Sequence, residues 1–171
     1  SVVEFMDSMF TLNANLAKTV FTWMRDNWPE GHCRIEIKAD KIPAELYPIM
    51  EELSAKNMLH CGIGIQSINP NVLKLVHRHT DFDEVRKLKE THIPSLHAAY
   101  EIILGLPGDT LDGVLETLYF IESLGGIGKD GKSFIIPFHL LLLPGSPLSD
   151  EAAQLGLIHN PELRYEVMQT P

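Results

Sequence analysis

The sequence predicts an α/β protein in which parallel strands form an incomplete barrel with helices on its outside. Five short apolar segments alternate with amphipathic stretches, and they begin about thirty residues apart, the length of one strand–helix–strand unit. The second segment, residues 33–39, carries Arg34, Glu36 and Lys38 on one face, because side chains alternate along a strand. A doubly wound sheet is covered on both faces and its strands are nearly all apolar, so this polar face favours a barrel with an open interior.

The individual elements follow from apolar runs and from helix start and stop signals. We expect strands over residues 2–7, 33–39, 61–67, 98–104 and 134–143. We expect helices over residues 15–25, 44–57, 81–90 and 111–124. Thr80 is the expected N-cap of the third helix, and Gly125 follows the fourth as a stop signal. Pro43 suits a first helical turn, whereas Pro48 predicts an irregularity.

Length and composition indicate one domain, residues 1–171, with 44% hydrophobic residues. The net charge of −9 argues against nucleic acid as the main partner, because proteins that bind the phosphate backbone are usually basic. No apolar run is long enough for a bilayer, and no secretion signal opens the chain. Two isolated cysteines, Cys33 and Cys61, indicate the reducing cytoplasm, and no ligand set predicts a metal site. The chain opens within a strand pattern and without Met, so we expect a fragment truncated at its N-terminus.

Polar residues lie at or near the expected carboxyl ends of the strands, the edge where parallel α/β proteins bind ligands. Asp7, Gln66 and Glu101 occupy such positions. Gly62 and Gly64 share the face of Gln66, and glycines there let a ligand approach the backbone. The sequence therefore predicts a binding site at this edge.

The strongest motif runs from Gly62 to Arg78 and reads GIGIQSINPNVLKLVHR, a strand, a turn and a short helix that carries Arg78. On the residues alone, a structural interpretation is equally good: Gln66 would be a hydrogen-bonding group at the end of a strand, and Arg78 would be a solvated charge on the helix. The stretch closely resembles the fourth strand and following helix of radical S-adenosylmethionine (SAM) enzymes, especially the coproporphyrinogen-dehydrogenase-like members. The resemblance implies that Gln66 contacts the ribose of SAM and that Arg78 contacts its carboxylate, roles that suit an amide and a guanidinium.

Three further segments resemble the same superfamily in the same order. RIEIKAD, which begins at Arg34, resembles the third strand and implies that Glu36 binds the ribose hydroxyls; the alternative is an interior carboxylate paired with a neighbouring cation. YEIILGLPGDT resembles the fifth strand, placing Glu101 in the SAM pocket and the backbone near Leu104 beside the adenine. FHLLLLPGSP, which begins at Phe138, resembles the sixth strand. The chain would then hold strands two to six of a six-stranded, TIM-like partial (β/α)6 barrel.

The opening segment resembles the second strand, whose backbone receives the amino group of SAM, here near Ser8. Its Asp–Ser–Met sequence departs from the common Gly–Gly pattern and resembles the cobalamin-binding branch. The Cys-x3-Cys-x2-Cys loop that holds the iron–sulfur cluster is missing, and Cys33 and Cys61 cannot replace it, since three thiolates are required. We expect that loop upstream of Ser1.

The resemblance implies an oxidoreductase or transferase, inactive as this fragment alone, that uses SAM and a 4Fe–4S cluster to generate a 5′-deoxyadenosyl radical. The radical would abstract hydrogen from an unknown small molecule or support methyl transfer, with cobalamin in a missing domain and an electron donor such as flavodoxin or ferredoxin. The alternatives are a tRNA methylthiotransferase core and a non-enzymatic α/β domain that binds a small molecule. An upstream Cys-x3-Cys-x2-Cys run would favour an enzyme, and its absence the binding domain.

Overall fold

The computed structural model describes residues 1–5, 7, 10–125, 133–143, 145–152 and 154. Its strands form one sheet: β1 (Val2–Phe5), β2 (His32–Ile37), β3 (Leu59–Gln66), β4 (His97–Leu104) and β5 (Phe134–His139). All neighbouring strands are parallel, and their order in the sheet is their order in the chain. The predicted parallel sheet of an incomplete α/β barrel is therefore confirmed, because a doubly wound sheet would reverse its strand order.

Helices follow the strands: α1 (Ala14–Asn27), α2 (Tyr47–Ala55), α3 (Pro70–Leu75), α4 (Phe82–Lys87), α5 (Leu111–Ser123) and α6 (Pro147–Glu151). At the start of every one of these helices except α2, a side chain accepts a hydrogen bond from a backbone N–H group. Asn13 accepts a hydrogen bond from the Leu16 N–H at α1, and Thr110 accepts one from the Gly113 N–H at α5. No helix of the described residues is long and apolar enough to cross a membrane.

The sheet has two chemically different faces, and this difference positions the site. The apolar residues of β2, β3 and β4 that alternate outward are at most 5% exposed and join the helices in the main core. These residues are Ile35, Ile37, Ile63, Ile65, Tyr100 and Ile102. The residues between them, Glu36, Gly62, Gly64 and Glu101, lie on the opposite, interior face, as the alternation predicted.

Two helix starts differ from the prediction. Asp81, and not Thr80, is the N-cap of α4, since its Oδ1 accepts hydrogen bonds from the backbone N–H groups of Asp83 and Glu84 at 3.1 Å. The expected helix at 44–57 is divided into a 3-10 turn (Ala44–Leu46) and α2, and Pro48 lies in the first turn of α2, where its missing N–H costs no helical hydrogen bond.

Strand β5 is shorter than the predicted 134–143. It ends at His139, because its partner β4 ends at Leu104 and Gly105 then turns with a φ of +84°. The Leu140 N–H still donates to the Leu104 carbonyl at 3.0 Å, but no ladder continues beyond that point. A strand needs a neighbour of equal length, which an apolar run alone cannot reveal.

Candidate functional site

Two carboxylates face each other across a glycine on the interior face of the sheet. Glu36 on β2 lies in register with Gly62 on β3, and Gly64 lies in register with Glu101 on β4. A Cβ atom on Gly62 would lie 3.3 Å from Glu101 Oε1 and 3.5 Å from Glu36 Cγ. The missing side chain of Gly62 therefore leaves a space bordered by both carboxylates.

Glu101 carries the electrostatic consequence of this arrangement. Burial raises the pKa of its carboxyl, the nearby Glu36 carboxylate raises it further, and Arg78 opposes both effects. Two like charges share one interior space, and a group that donates hydrogen bonds to both would relieve their repulsion. A pair of neighbouring hydroxyls is such a group.

Gln66 ends β3 in an unusual backbone conformation. Its φ is +67°, in the left-handed region that costs a non-glycine residue about 1–3 kcal/mol. The register with β4 shifts between Gly64 and Gln66, which marks a bulge, and such bulges redirect a side chain. The Nε2 atom folds back over Gly64, while Oε1 is buried with no hydrogen-bond partner among the described residues. A strained residue with an unsatisfied buried acceptor fits a contact with a ligand donor.

Arg78 reaches the same space from the turn after α3, whereas the sequence had placed it on the helix itself. A Schellman motif ends α3: the His77 N–H donates to the Lys74 carbonyl at 3.2 Å, and the Arg78 N–H donates to the Leu73 carbonyl at 2.9 Å. His77 adopts a φ of +51°, the left-handed conformation this motif requires. The chain thereby turns back over the edge of the sheet.

The guanidinium of Arg78 is anchored to the central strand, because Nη2 donates to the Gly64 carbonyl at 2.5 Å. Its Nε is buried and has no partner within the described part of the chain. Burial lowers the pKa of Arg78, and the carboxylates of Asp40 and Glu101 act in the opposite direction. The group stays a cation with donor capacity left over, as binding a carboxylate requires.

Glu36, Gln66, Arg78 and Glu101 line one cavity of about 580 Å³ at the carboxyl edge of the strands. Apolar side chains from the fourth strand and the segments beyond it form another part of its wall: Ile103, Leu106, Leu140 and Leu148. Hydrogen-bond acceptors, one guanidinium and an apolar wall match the ribose, the amino-acid carboxylate and the flat ring of a nucleoside linked to an amino acid. The residues present therefore fit SAM.

Of the other two predicted contacts, Leu104 does not join this group. The side chain of Leu104 packs against the main core, and its carbonyl accepts the Leu140 N–H, so Leu104 does not line the cavity that holds the other four. Ser8 lies outside the described residues.

Asp40 was not singled out from the sequence. It lies in a 3-10 turn (Ala39–Lys41) directly after β2, and its Oδ2 accepts the backbone N–H of Asp81 at 3.2 Å. The available signal was an acidic residue immediately beyond a strand, at the carboxyl edge. The electrostatic interaction of Asp40 with Arg78 depends on a turn that lies far along the chain, and it is not visible in the sequence.

The cysteines lie on the other side of the sheet from the cavity, packed in the main core. Burial raises the pKa of the Cys33 thiol to about 12, and it also raises that of Cys61. Metal-binding thiolates require the opposite shift. Among the described residues no group of three or more His, Cys, Asp or Glu side chains could hold a metal ion.

The chain is similar in sequence to curated bacterial tRNA-modifying enzymes. It is 33% identical over 110 residues to the tRNA-2-methylthio-N(6)-dimethylallyladenosine synthase of Acinetobacter baumannii, covering 62% of this chain and 21% of that protein. It is 34% identical over 104 residues to the threonylcarbamoyladenosine tRNA methylthiotransferase MtaB of Bacillus subtilis, covering 57% and 23%. The chain thus matches less than a quarter of the length of either relative. No family model matches it.

Two solved structures share the fold. Elp3 of the archaeon Methanocaldococcus infernus matches with a TM-score of 0.61 at 14% identity, over 90% of this chain and 40% of the other. Coproporphyrinogen III oxidase (HemN) of Escherichia coli, a radical SAM enzyme, matches with a TM-score of 0.56 at 20% identity, over 84% of this chain and 37% of the other. At these identities the likeness establishes the fold alone.

Proposed function

Since the chain resembles the radical SAM enzymes in its sequence relatives and in its fold, we propose that it forms the SAM-binding part of such an enzyme. One observation carries the proposal: two carboxylates, an amide and a guanidinium from separate elements line one cavity at the carboxyl edge of a parallel sheet. These groups came together from motifs far apart in the sequence.

Each group has a role that its chemistry supports. Glu36 and Glu101 would accept hydrogen bonds from the ribose hydroxyls, which would also relieve the repulsion between the two carboxylates. The buried Oε1 of Gln66 would accept a hydrogen bond from the same sugar. Arg78 would pair with the carboxylate of the methionine moiety. The apolar wall around Leu106 and Leu140 would exclude water from the site.

In the intact enzyme, SAM beside a reduced 4Fe–4S cluster would supply a 5′-deoxyadenosyl radical for hydrogen abstraction or methyl transfer. The cluster ligands would come from outside this chain, because its two cysteines are buried on the other face of the sheet. A small-molecule substrate, an electron donor such as flavodoxin or ferredoxin, and a cytoplasmic location belong to the same proposal. The relatives found give no support to a cobalamin domain.

Titration of the intact, anaerobically reconstituted protein with SAM tests the proposal. We expect Arg78→Ala to weaken binding by about 1.5–3 kcal/mol, the scale of a hydrogen bond to a charged group, and Glu36→Ala to weaken it as well. Asp83→Asn removes an exposed charge from the nearby helix α4 and serves as the control. Unchanged affinity in folded Arg78→Ala and Glu36→Ala would refute the site.

A second candidate function is methylthiolation of tRNA, which the identities of 33% and 34% to two methylthiotransferases favour. The charge of −9 means that another part of the protein would bind the RNA backbone. Mass spectrometry of tRNA nucleosides from cells with and without the gene tests this candidate. Loss of a methylthio-modified adenosine on deletion would support it, and an unchanged nucleoside profile would refute it.

A further inference from the structure

Asp40 lies close enough to Arg78, which lines the cavity, for its carboxylate to raise the pKa of the guanidinium. We infer that Asp40 is a positioning residue. Its carboxylate holds the turn that carries Arg78 and orients the guanidinium toward the amino-acid carboxylate of the bound ligand. This inference rests on the proposed function, and it adds a residue that the motifs did not indicate.

The first argument is the turn itself. Arg78 lies between two fixed points: the Schellman motif at the end of α3 and the N-cap of α4 at Asp81. Asp40 Oδ2 accepts the Asp81 N–H at 3.2 Å and thereby ties this second point to the end of β2. The position of Arg78 relative to the sheet therefore depends on Asp40.

The second argument is the balance of charge around the guanidinium. Arg78 is anchored by its Nη2 to Gly64 on the central strand β3. The two carboxylates that raise the pKa of Arg78 come from the two flanking sides, Asp40 after β2 and Glu101 on β4, and Asp40 raises this pKa more than Glu101 does. Removing the Asp40 charge would leave Glu101 as the remaining one of these two attractions, and the guanidinium would then shift toward β4.

The third argument is unused hydrogen-bonding capacity at the same place. Asp40 Oδ1 and Arg78 Nε are buried, and neither has a partner among the described residues. Hydrogen bonds within the described protein therefore do not satisfy all the polar atoms of these two side chains, as they would if both had a purely structural role. Arg78 retains a donor for a ligand while Asp40 compensates its charge.

Binding measurements on the intact protein test the inference with two probes. S-adenosylhomocysteine has the amino-acid carboxylate, and methylthioadenosine lacks it. Asp40→Asn keeps an oxygen that can accept the Asp81 N–H but removes the charge. We expect it to weaken S-adenosylhomocysteine binding about threefold to thirtyfold, which lies within the range for coupled neighbours, and to weaken methylthioadenosine binding less.

A double-mutant cycle identifies the route of the effect. In an Arg78→Met background, Asp40→Asn should change S-adenosylhomocysteine affinity by less than about twofold, because its effect passes through the guanidinium. Asp83→Asn is the control for loss of one negative charge, and thermal unfolding checks that each variant folds.

The outcomes separate this inference from the proposed function. If the original protein binds neither probe, the proposed function fails and the role of Asp40 fails with it. If the original protein binds and Arg78→Met loses S-adenosylhomocysteine, but Asp40→Asn binds it unchanged or more tightly, only the role of Asp40 is overturned. Equal losses for both probes in Asp40→Asn would also overturn it.

Discussion

Replacing Gly62 by alanine should affect the stability of the sheet and the binding of a ligand in the cavity differently. The added methyl group would lie 3.3 Å from Glu101 Oε1 and 3.5 Å from Glu36 Cγ. Both neighbours are side-chain atoms that can move slightly, and the backbone of Gly62 is not in the left-handed region. Alanine therefore fits the fold, but it fills the space that we assign to the ribose hydroxyls.

The two expected effects have opposite signs. Alanine reduces the conformational freedom of the unfolded chain, which stabilises a protein by about 0.4–1 kcal/mol, and the close contact would offset part of this gain. The melting temperature should therefore stay the same or rise by at most about 4 °C. An extra methyl group in a filled site costs about 1–3 kcal/mol, so S-adenosylhomocysteine should bind about 5-fold to 150-fold more weakly.

Thermal unfolding and calorimetric titration of the same preparation measure both quantities. A folded Gly62→Ala variant that binds S-adenosylhomocysteine as tightly as the original protein would refute the placement of the ligand between Glu36 and Glu101. A fall in melting temperature of more than about 4 °C would instead refute the argument that alanine fits the strand without strain.

Two properties of the turns and one of the site give further predictions. His77→Gly should stabilise the protein by about 0.5–1 kcal/mol in denaturant unfolding, because glycine adopts the left-handed conformation freely. Asn57→Gly, at the equivalent position after α2, should stabilise it less, since asparagine tolerates the left-handed conformation better than histidine does. An equal or larger gain in stability for Asn57→Gly would contradict the reasoning. Burial and Glu36 raise the folded-state pKa of Glu101, so its stabilising contribution is present at low pH and is lost as pH rises through that value. Glu101→Gln should therefore raise the melting temperature at neutral pH but not at acidic pH, and a uniform change would count against this. A methyl group on Gly31 would overlap the indole ring of Trp28, so Gly31→Ala should cost about 1–3 kcal/mol, and an unchanged melting temperature would disprove it.

Periodicity in the sequence predicted the sheet and its two faces. Alternation placed Glu36 and Glu101 inside and their isoleucine neighbours outside, because an uncompensated carboxylate among packed helices would cost several kcal/mol. The resemblance to the radical SAM superfamily, which the motifs predicted, is confirmed by the relatives and by the fold. The cofactor roles of the individual residues stay predictions.

Features that depend on three-dimensional neighbours were not predictable. The left-handed bulge at Gln66 arises from its register with β4, and nothing in the local sequence requires it. Arg78 was expected on a helix, but α3 ends early in a motif that usually carries glycine rather than His77. Asp40 pairs with a turn far along the chain, and its role follows only from the folded geometry.

The unreversed strand order has a consequence for how the protein is made. Each described strand after β1 pairs with the one synthesised just before it, so every contact between the described strands of the sheet spans a single strand–helix unit. Such a sheet can grow by stepwise addition as the polypeptide leaves the ribosome, with modest loss of loop entropy at each step. The acidic and basic groups of the cavity are all present once β4 has docked, and the segment after β5 then adds Leu140 to the apolar wall of a site whose polar groups are already assembled.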